Sequence, residues 1–224
     1  MGTNAGDRFL TAAMIAAFCA AIIMLTKMVY APITAAGSVG VAGLGISGGL
    51  CQFPLLQDWN FISFCANPSN KSVTSVMAQA SGSYDYVLRW NASAQAYELY
   101  STYSETKPFS DIEVNRSYFV HMTSPVAGFA VSGASNPDIN ISLINKWNAP
   151  SWPYEFTTNV SKYLDTINGK WEYVLKWNAS SQAYDLYSIY SGEKPFTQIF
   201  KGEGQYIFVN ATSAALVYER SALQ

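Results

Sequence analysis

The chain predicts an α+β fold by parts: an apolar N-terminal helical stem over residues 1–50, then two tandem antiparallel β-sandwich-like domains over 51–136 and 137–224. Three observations predict it. Between Phe9 and Gln57 the only acidic or basic side chain is that of Lys27. The sixteen residues "YVLRWNASAQAYELYS" from Tyr86 recur as "YVLKWNASSQAYDLYS" from Tyr173. Beyond Cys51, short aromatic and β-branched stretches alternate with Asn, Ser, Gly and Pro, the punctuation of strands and turns.

The stem comes first. "FLTAAMIAAFCAAIIML", Phe9 to Leu25, is seventeen residues without a charge, near the lower limit for crossing a hydrocarbon layer at ~1.5 Å per residue. Ala12, Ala16 and Ala20 recur every fourth residue, with Ala13, Ala17 and Ala21 beside them. On a helix they form a strip of small side chains that lets backbones approach closely, which points to self-association through the stem and to membrane lipid as surroundings. A secretory signal peptide is the other reading, since Asp7-Arg8 precede the apolar run; apolarity continuing past Lys27 favours a retained stem. Pro32 and the glycines from Gly37 to Gly49 leave open one kinked helix or a hairpin of two.

The outer part is a duplication. Trp59-Asn60 corresponds to Trp147-Asn148, Trp90 to Trp177, Tyr97 to Tyr184, Tyr100 to Tyr187, and Lys107-Pro108-Phe109 to Lys194-Pro195-Phe196. "FVHMTS" from Phe119 aligns with "FVNATS" from Phe208 after a two-residue shift, which sets His121 opposite Asn210. An offset of 87 to 89 residues is too long for a solenoid unit and right for a small domain. Each copy reads as six to eight strands, with a short helix near 72–80 and 160–167 and a hairpin turning at Asn-Ala-Ser.

Composition narrows the function. Half of the 224 residues are hydrophobic, 12% are charged, and the net charge is -2, so nothing favours nucleic acid as a partner. Beyond Asp58, seven of thirteen asparagines open an Asn-X-Ser/Thr sequon: Asn70, Asn91, Asn115, Asn140, Asn159, Asn178 and Asn210. This excess argues for covalent N-glycans on an exported region. Cys19 reads as a packed thiol, whereas Cys51 and Cys65 are spaced to close a short disulfide loop, worth about 3 kcal/mol and tying the first β-domain to the stem.

Catalytic and cofactor signals are weak. Gly43-Leu-Gly45-Ile-Ser-Gly48 matches GxGxxG, and Gly45 to Gly49 matches GxSxG, but neither has the flanking strand and helix its chemistry needs. His121 is the single histidine. Asp85, Glu98 and Asp111, with Glu172 and Asp185 in the second copy, read as a solvated strand face, and no pair is marked as acid and base. The expectation is no enzyme, no cofactor and no metal. The stripe Tyr84, Tyr86, Trp90, Tyr97, Tyr100 and Tyr103 reads as core and cross-strand pairs, with a sugar-stacking platform as the alternative.

The pattern "DWNFISF", "NPSN", "YDYVLRWNASAQAYELYS", "FSDIEVNRSYFVHMTS" and "VSG" resembles a repeat of secreted and surface-layer proteins of archaea and some bacteria, across residues 58–133 and, more loosely, 147–218. The uncharged N-terminal run is similar to that of archaeal pilins and archaellins. The resemblance implies an extracellular β-module without catalytic residues. The expected protein is therefore a structural surface glycoprotein, a pilin-like subunit whose stem packs in a filament core or membrane and anchors it at the cell or virion surface. The alternatives are an unprocessed envelope or tail component of an archaeal virus or surface layer, and a carbohydrate-binding adhesion module.

Overall fold

In the computed structural model, residues 48–223 are described. They lie within one compact unit. In the first copy β1 is Gly48–Leu55, β2 Asp58–Ser63, β3 Ala66–Asn67, β4 Tyr84–Asn91, β5 Ala96–Ser101, β6 Ser117–Met122 and β7 Val126–Ser135. In the second, β8 is Ile139–Asn148, β9 Thr158–Asn159, β10 Trp171–Asn178, β11 Ala183–Ser188, β12 Gln198–Ile199 and β13 Gln205–Tyr218. Helix is confined to single turns, α1 at Val73–Val76, α2 at Val160–Tyr163 and α3 at Arg220–Leu223. The first two fall in the windows expected for short helices.

The two copies carry equivalent four-stranded antiparallel sheets, ordered β2-β6-β4-β5 and β8-β13-β10-β11. In the first copy the outer half of this pattern is split off as a separate sheet, β1-β7-β3. Leu56-Gln57 interrupts β1 and β2, and Thr123 to Pro125 interrupts β6 and β7. Proline cannot donate to a ladder. In the second copy β8 and β13 run through, with a register shift between Val209 and Ser213 absorbing the same bend.

Two cores lie within the copies and a third lies between them. Cys51, Leu55, Phe64, Val73, Met77, Tyr118, Val120 and Phe129 belong to the first. Trp152, Tyr154, Tyr163, Ile167, Val174, Ile207 and Tyr218 belong to the second. The third is built from Phe61, Trp90 and Phe119 of one copy against Ala149, Leu175 and Tyr206 of the other. The copies are thus sheets of one packed body rather than beads on a string.

Three expectations are corrected. The α+β fold class does not hold, because the described residues form a mostly β structure with helix only in single turns. The stem boundary at residue 50 also moves: Gly48-Gly49-Leu50 belongs to β1 and pairs with Ala134, Gly133 and Ser132. Those glycines, expected within the stem, serve a tight sheet. A Cβ on Gly133 would sit 2.1 Å from the Asn67 carbonyl oxygen, so β3 can cross there only over glycine. Localisation by an N-terminal anchor loses its support, since among the described residues no helix is long and apolar enough to cross a membrane. Ala12, Ala13, Ala16, Ala17, Ala20, Ala21 and Cys19 lie outside the described residues.

Candidate functional site

The duplicated residues meet at the joint between the copies, and the Trp-Asn pairs show how. Asp58 and Lys146 each adopt a left-handed backbone, with φ of 68° and 83°. Such a kink strips neighbouring backbone groups of ladder partners. The asparagine two residues later replaces them. Asn60 Oδ1 accepts from the Leu56 N–H at 2.8 Å, and its Nδ2 donates to the carbonyls of Leu56 and Asp58 at 2.7 and 3.1 Å. Asn148 does the same with Ile144 and Lys146, at 3.0, 2.8 and 3.0 Å.

The tryptophan between kink and asparagine is gripped by the opposite copy. Trp177 Nε1 donates to the Trp59 carbonyl at 2.8 Å, and Trp90 Nε1 donates to the Trp147 carbonyl at 2.9 Å. Each carbonyl takes a second bond, from Gln182 Nε2 and Gln95 Nε2 respectively, both at 2.9 Å. The same glutamines accept from the tryptophan N–H groups, at 3.0 Å for Trp59 and 3.2 Å for Trp147. Gln95 and Gln182 close the β4–β5 and β10–β11 hairpins in the left-handed region, φ 51° and 50°. That conformation aims each glutamine across the joint.

Main-chain bonds repeat the reciprocity. Ser63 N–H donates to the Gly202 carbonyl at 2.9 Å and Gly204 N–H to that of Phe61 at 2.8 Å. In mirror fashion Ser151 N–H donates to the Asn115 carbonyl at 3.2 Å and Ser117 N–H to that of Ala149 at 2.9 Å. Between these edges Phe61 stacks on Phe119 and Tyr206, with centroids 4.3 and 4.7 Å apart. The hydroxyl of Tyr206 donates to that of Tyr97. Burial, reinforced by Tyr97 and Tyr184, pushes the Tyr206 phenol well above its ordinary range.

The strand pairing also realigns the copies. Trp59 pairs with His121 and Trp147 with Phe208, while Leu88 pairs with Phe119 and Leu175 with Tyr206. His121 therefore occupies the place of Phe208, not of Asn210, and the two-residue shift disappears. His121 Nδ1 lies 2.6 Å from Asp85 Oδ1, and its ring centroid is 4.8 Å from that of Trp59. Asp85 is buried rather than solvated. Glu98 is likewise tied in, to Arg89 at 2.6 Å and to Asn91 at 2.9 Å. Burial acts to raise its carboxyl, but the Asn91 and Arg89 bonds outweigh it and hold the group below the usual range.

The aromatic stripe splits. Trp90 and Tyr97 enter the third core, Tyr100 packs in the first, and Tyr103 is 77% exposed. It forms no single platform. Lys107 and Lys194 fold back at equivalent places over the rings of Tyr100 and Tyr187, at 4.8 and 4.6 Å, which accounts for the repeated Lys-Pro-Phe.

Asn70, Asn140, Asn159, Asn178 and Asn210 are exposed, whereas Asn91 and Asn115 are half-buried. Cys51 and Cys65 are joined in a disulfide, their Cα atoms 5.1 Å apart. It links β1 to the segment between β2 and β3, inside the first copy rather than between copy and stem. Among the described residues no group of three or more His, Cys, Asp or Glu is placed to hold a metal. Gln95, Gln182 and the kink-bridging role of Asn60 and Asn148 escaped the sequence reading; their signal was retention of the same residue at the same place in both copies.

No protein-family model matches the chain, no curated protein matches it, and no solved structure matches it.

Proposed function

We propose that the chain is a non-enzymatic structural glycoprotein, a subunit whose duplicated β region is a stiff, disulfide-bonded, sugar-bearing head. The observation that carries this reading is the fate of the repeated residues. Trp59 and Trp147, the hairpin tryptophans and the hairpin glutamines are consumed in holding the copies together, and Asn60 and Asn148 in bracing the kinks within each copy. Residues kept twice for catalysis or ligand binding would instead converge on an open cleft. The disulfide supports an oxidising compartment, and five exposed sequons support glycans there.

Self-association belongs to the same proposal. The uncharged run from Phe9 to Leu25 supplies apolar surface that separate copies of the chain would bury against one another. Sedimentation and electron microscopy of the full chain from its native source test this. Large regular assemblies are expected, dispersed by Ala16→Glu with Ala20→Glu while the melting of the β region is unchanged. A full chain that stays monomeric at all concentrations would sink the subunit reading, and a chain without sugars at any sequon would sink the glycoprotein reading.

A further inference from the structure

In six sequons the completing hydroxyl residue is accessible in the folded molecule, and in one it is not. The hydroxyl residue completing each sequon is exposed for Asn91 (Ser93), Asn140 (Ser142), Asn159 (Ser161), Asn178 (Ser180) and Asn210 (Thr212), and half-buried for Asn70 (Ser72). For Asn115 it is Ser117, which is 1% exposed. Its Oγ donates to the Pro150 carbonyl at 2.6 Å, and its N–H is bonded to Ala149 across the joint. An enzyme that must recognise both the asparagine and the hydroxyl two residues on cannot reach this pair once the copies have closed.

Asn115 nevertheless faces open space. It lines a groove of about 420 Å³ with Lys71, Asp111, Ile112 and Val114 from the first copy and Asp138, Ile139 and Asn140 from the second. The neighbouring backbone is already committed, Val114 to Ser151 Oγ at 2.6 Å and Asn115 to the Ser151 N–H. The lining side chains supply apolar surface from the half-buried Val114 and Ile139 beside carboxylate acceptors and a lysine donor, the mixture that suits a sugar ring with its hydroxyls.

We infer that Asn115 is glycosylated before the two copies close on each other, and that its sugars then fill the groove and strap the copies together. The inference rests on the glycoprotein reading above. In the transfer the Asn115 Nδ2 to sugar C1 bond forms and the C1–O bond to phosphate in an activated glycosyl phosphate donor breaks. The phosphate leaves with the bonding pair, and one amide proton is released. Modification at the exposed Asn70, Asn140, Asn159, Asn178 and Asn210 carries no such order.

Two experiments on the full chain test it. Peptide mass spectrometry of native protein is expected to find sugar on Asn115. Unglycosylated protein, folded and then offered a glycosylating enzyme and donor, is expected to gain sugar at Asn140, Asn159, Asn178 and Asn210 but not at Asn115, and to gain it at Asn115 when treated unfolded. In the native host Asn115→Gln is expected to melt several degrees lower, whereas Asn159→Gln melts as the parent does. Sugar on the exposed sites with Asn115 bare, modification of Asn115 in the folded protein, or equal melting of the two variants would overturn the inference and leave the glycoprotein reading intact. No sugar anywhere would remove both.

Discussion

Asn60 and Asn148 are each 4% exposed, so the side-chain half of each bridge is shielded from water. An unsatisfied buried polar group costs about 1–3 kcal/mol. Asn60→Ala strands the Leu56 N–H and its carbonyl together, and is expected to lower unfolding stability by about 2–3 kcal/mol. Asn148→Ala should cost a similar amount for the same reason. Denaturant titration of the two variants checks this; a loss below about 0.5 kcal/mol, the scale of an ordinary surface change, would mean the kinks hold without their asparagines.

At the scale of elements, the hairpins carry the clamp. The Trp147 carbonyl has two donors, Trp90 Nε1 and Gln95 Nε2, so losing one leaves it paired. Trp90→Phe is therefore expected to cost about 1 kcal/mol through its hydrogen bond, and Gln95→Ala about 1–2 because the Trp147 N–H is also abandoned. Together they should cost at least ~1 kcal/mol more than the sum, since only then is the carbonyl orphaned. Strict additivity in the double-mutant cycle would show that the carbonyl finds another partner. Trp177 and Gln182 offer the same cycle on the Trp59 carbonyl.

The hairpins were legible because two signals coincided: sixteen near-identical residues, and a turn punctuated by Asn and Ser within strands of period two. What the hairpins face was not legible. Trp90 and Tyr97 mark an apolar face, but alternation alone does not distinguish a core within one copy from a core between two. The misplacement of His121 has a physical cause as well. Phe119 lies where Tyr206 lies, and matching Phe to Phe hid an exchange of one flat ring for another. β1 was hidden because Gly48 and Gly49 continue an apolar, glycine-rich run; their strand identity comes from pairing with Gly133 and Ala134, a long-range fact with no local mark.

On the scale of the whole molecule, the disulfide and the buried tyrosines govern the response to conditions. Cys51 and Cys65 are both wholly buried, so dithiothreitol should reduce them only through unfolding. Replacing both by serine is expected to cost about 3 kcal/mol, or roughly 6–12 °C in Tm for a unit of this size. Calorimetry of the variant measures it, and an unchanged Tm would mean that β1 is held by its ladder to β7 alone.

Alkaline pH acts on the tyrosines. Burial pushes the phenols of Tyr118 and Tyr154 up to about 12, and those of Tyr163, Tyr206 and Tyr218 well above their ordinary range. An unfolded tyrosine ionises near ~10. Each raised value therefore contributes stability that is fully present below that pH, and lost as pH climbs through the folded values, because the unfolded chain releases protons the folded one retains. Tyr206 belongs to the joint between the copies, while Tyr163 and Tyr218 sit in the second core, so their ionisation requires opening both. Tyrosinate absorbance followed with circular dichroism should show part of the absorbance arriving only together with loss of the sheet signal, above pH 10. If all the absorbance appeared in one smooth titration with the sheet signal intact, the tyrosines would not be sealed in and the third core would not be closed in solution.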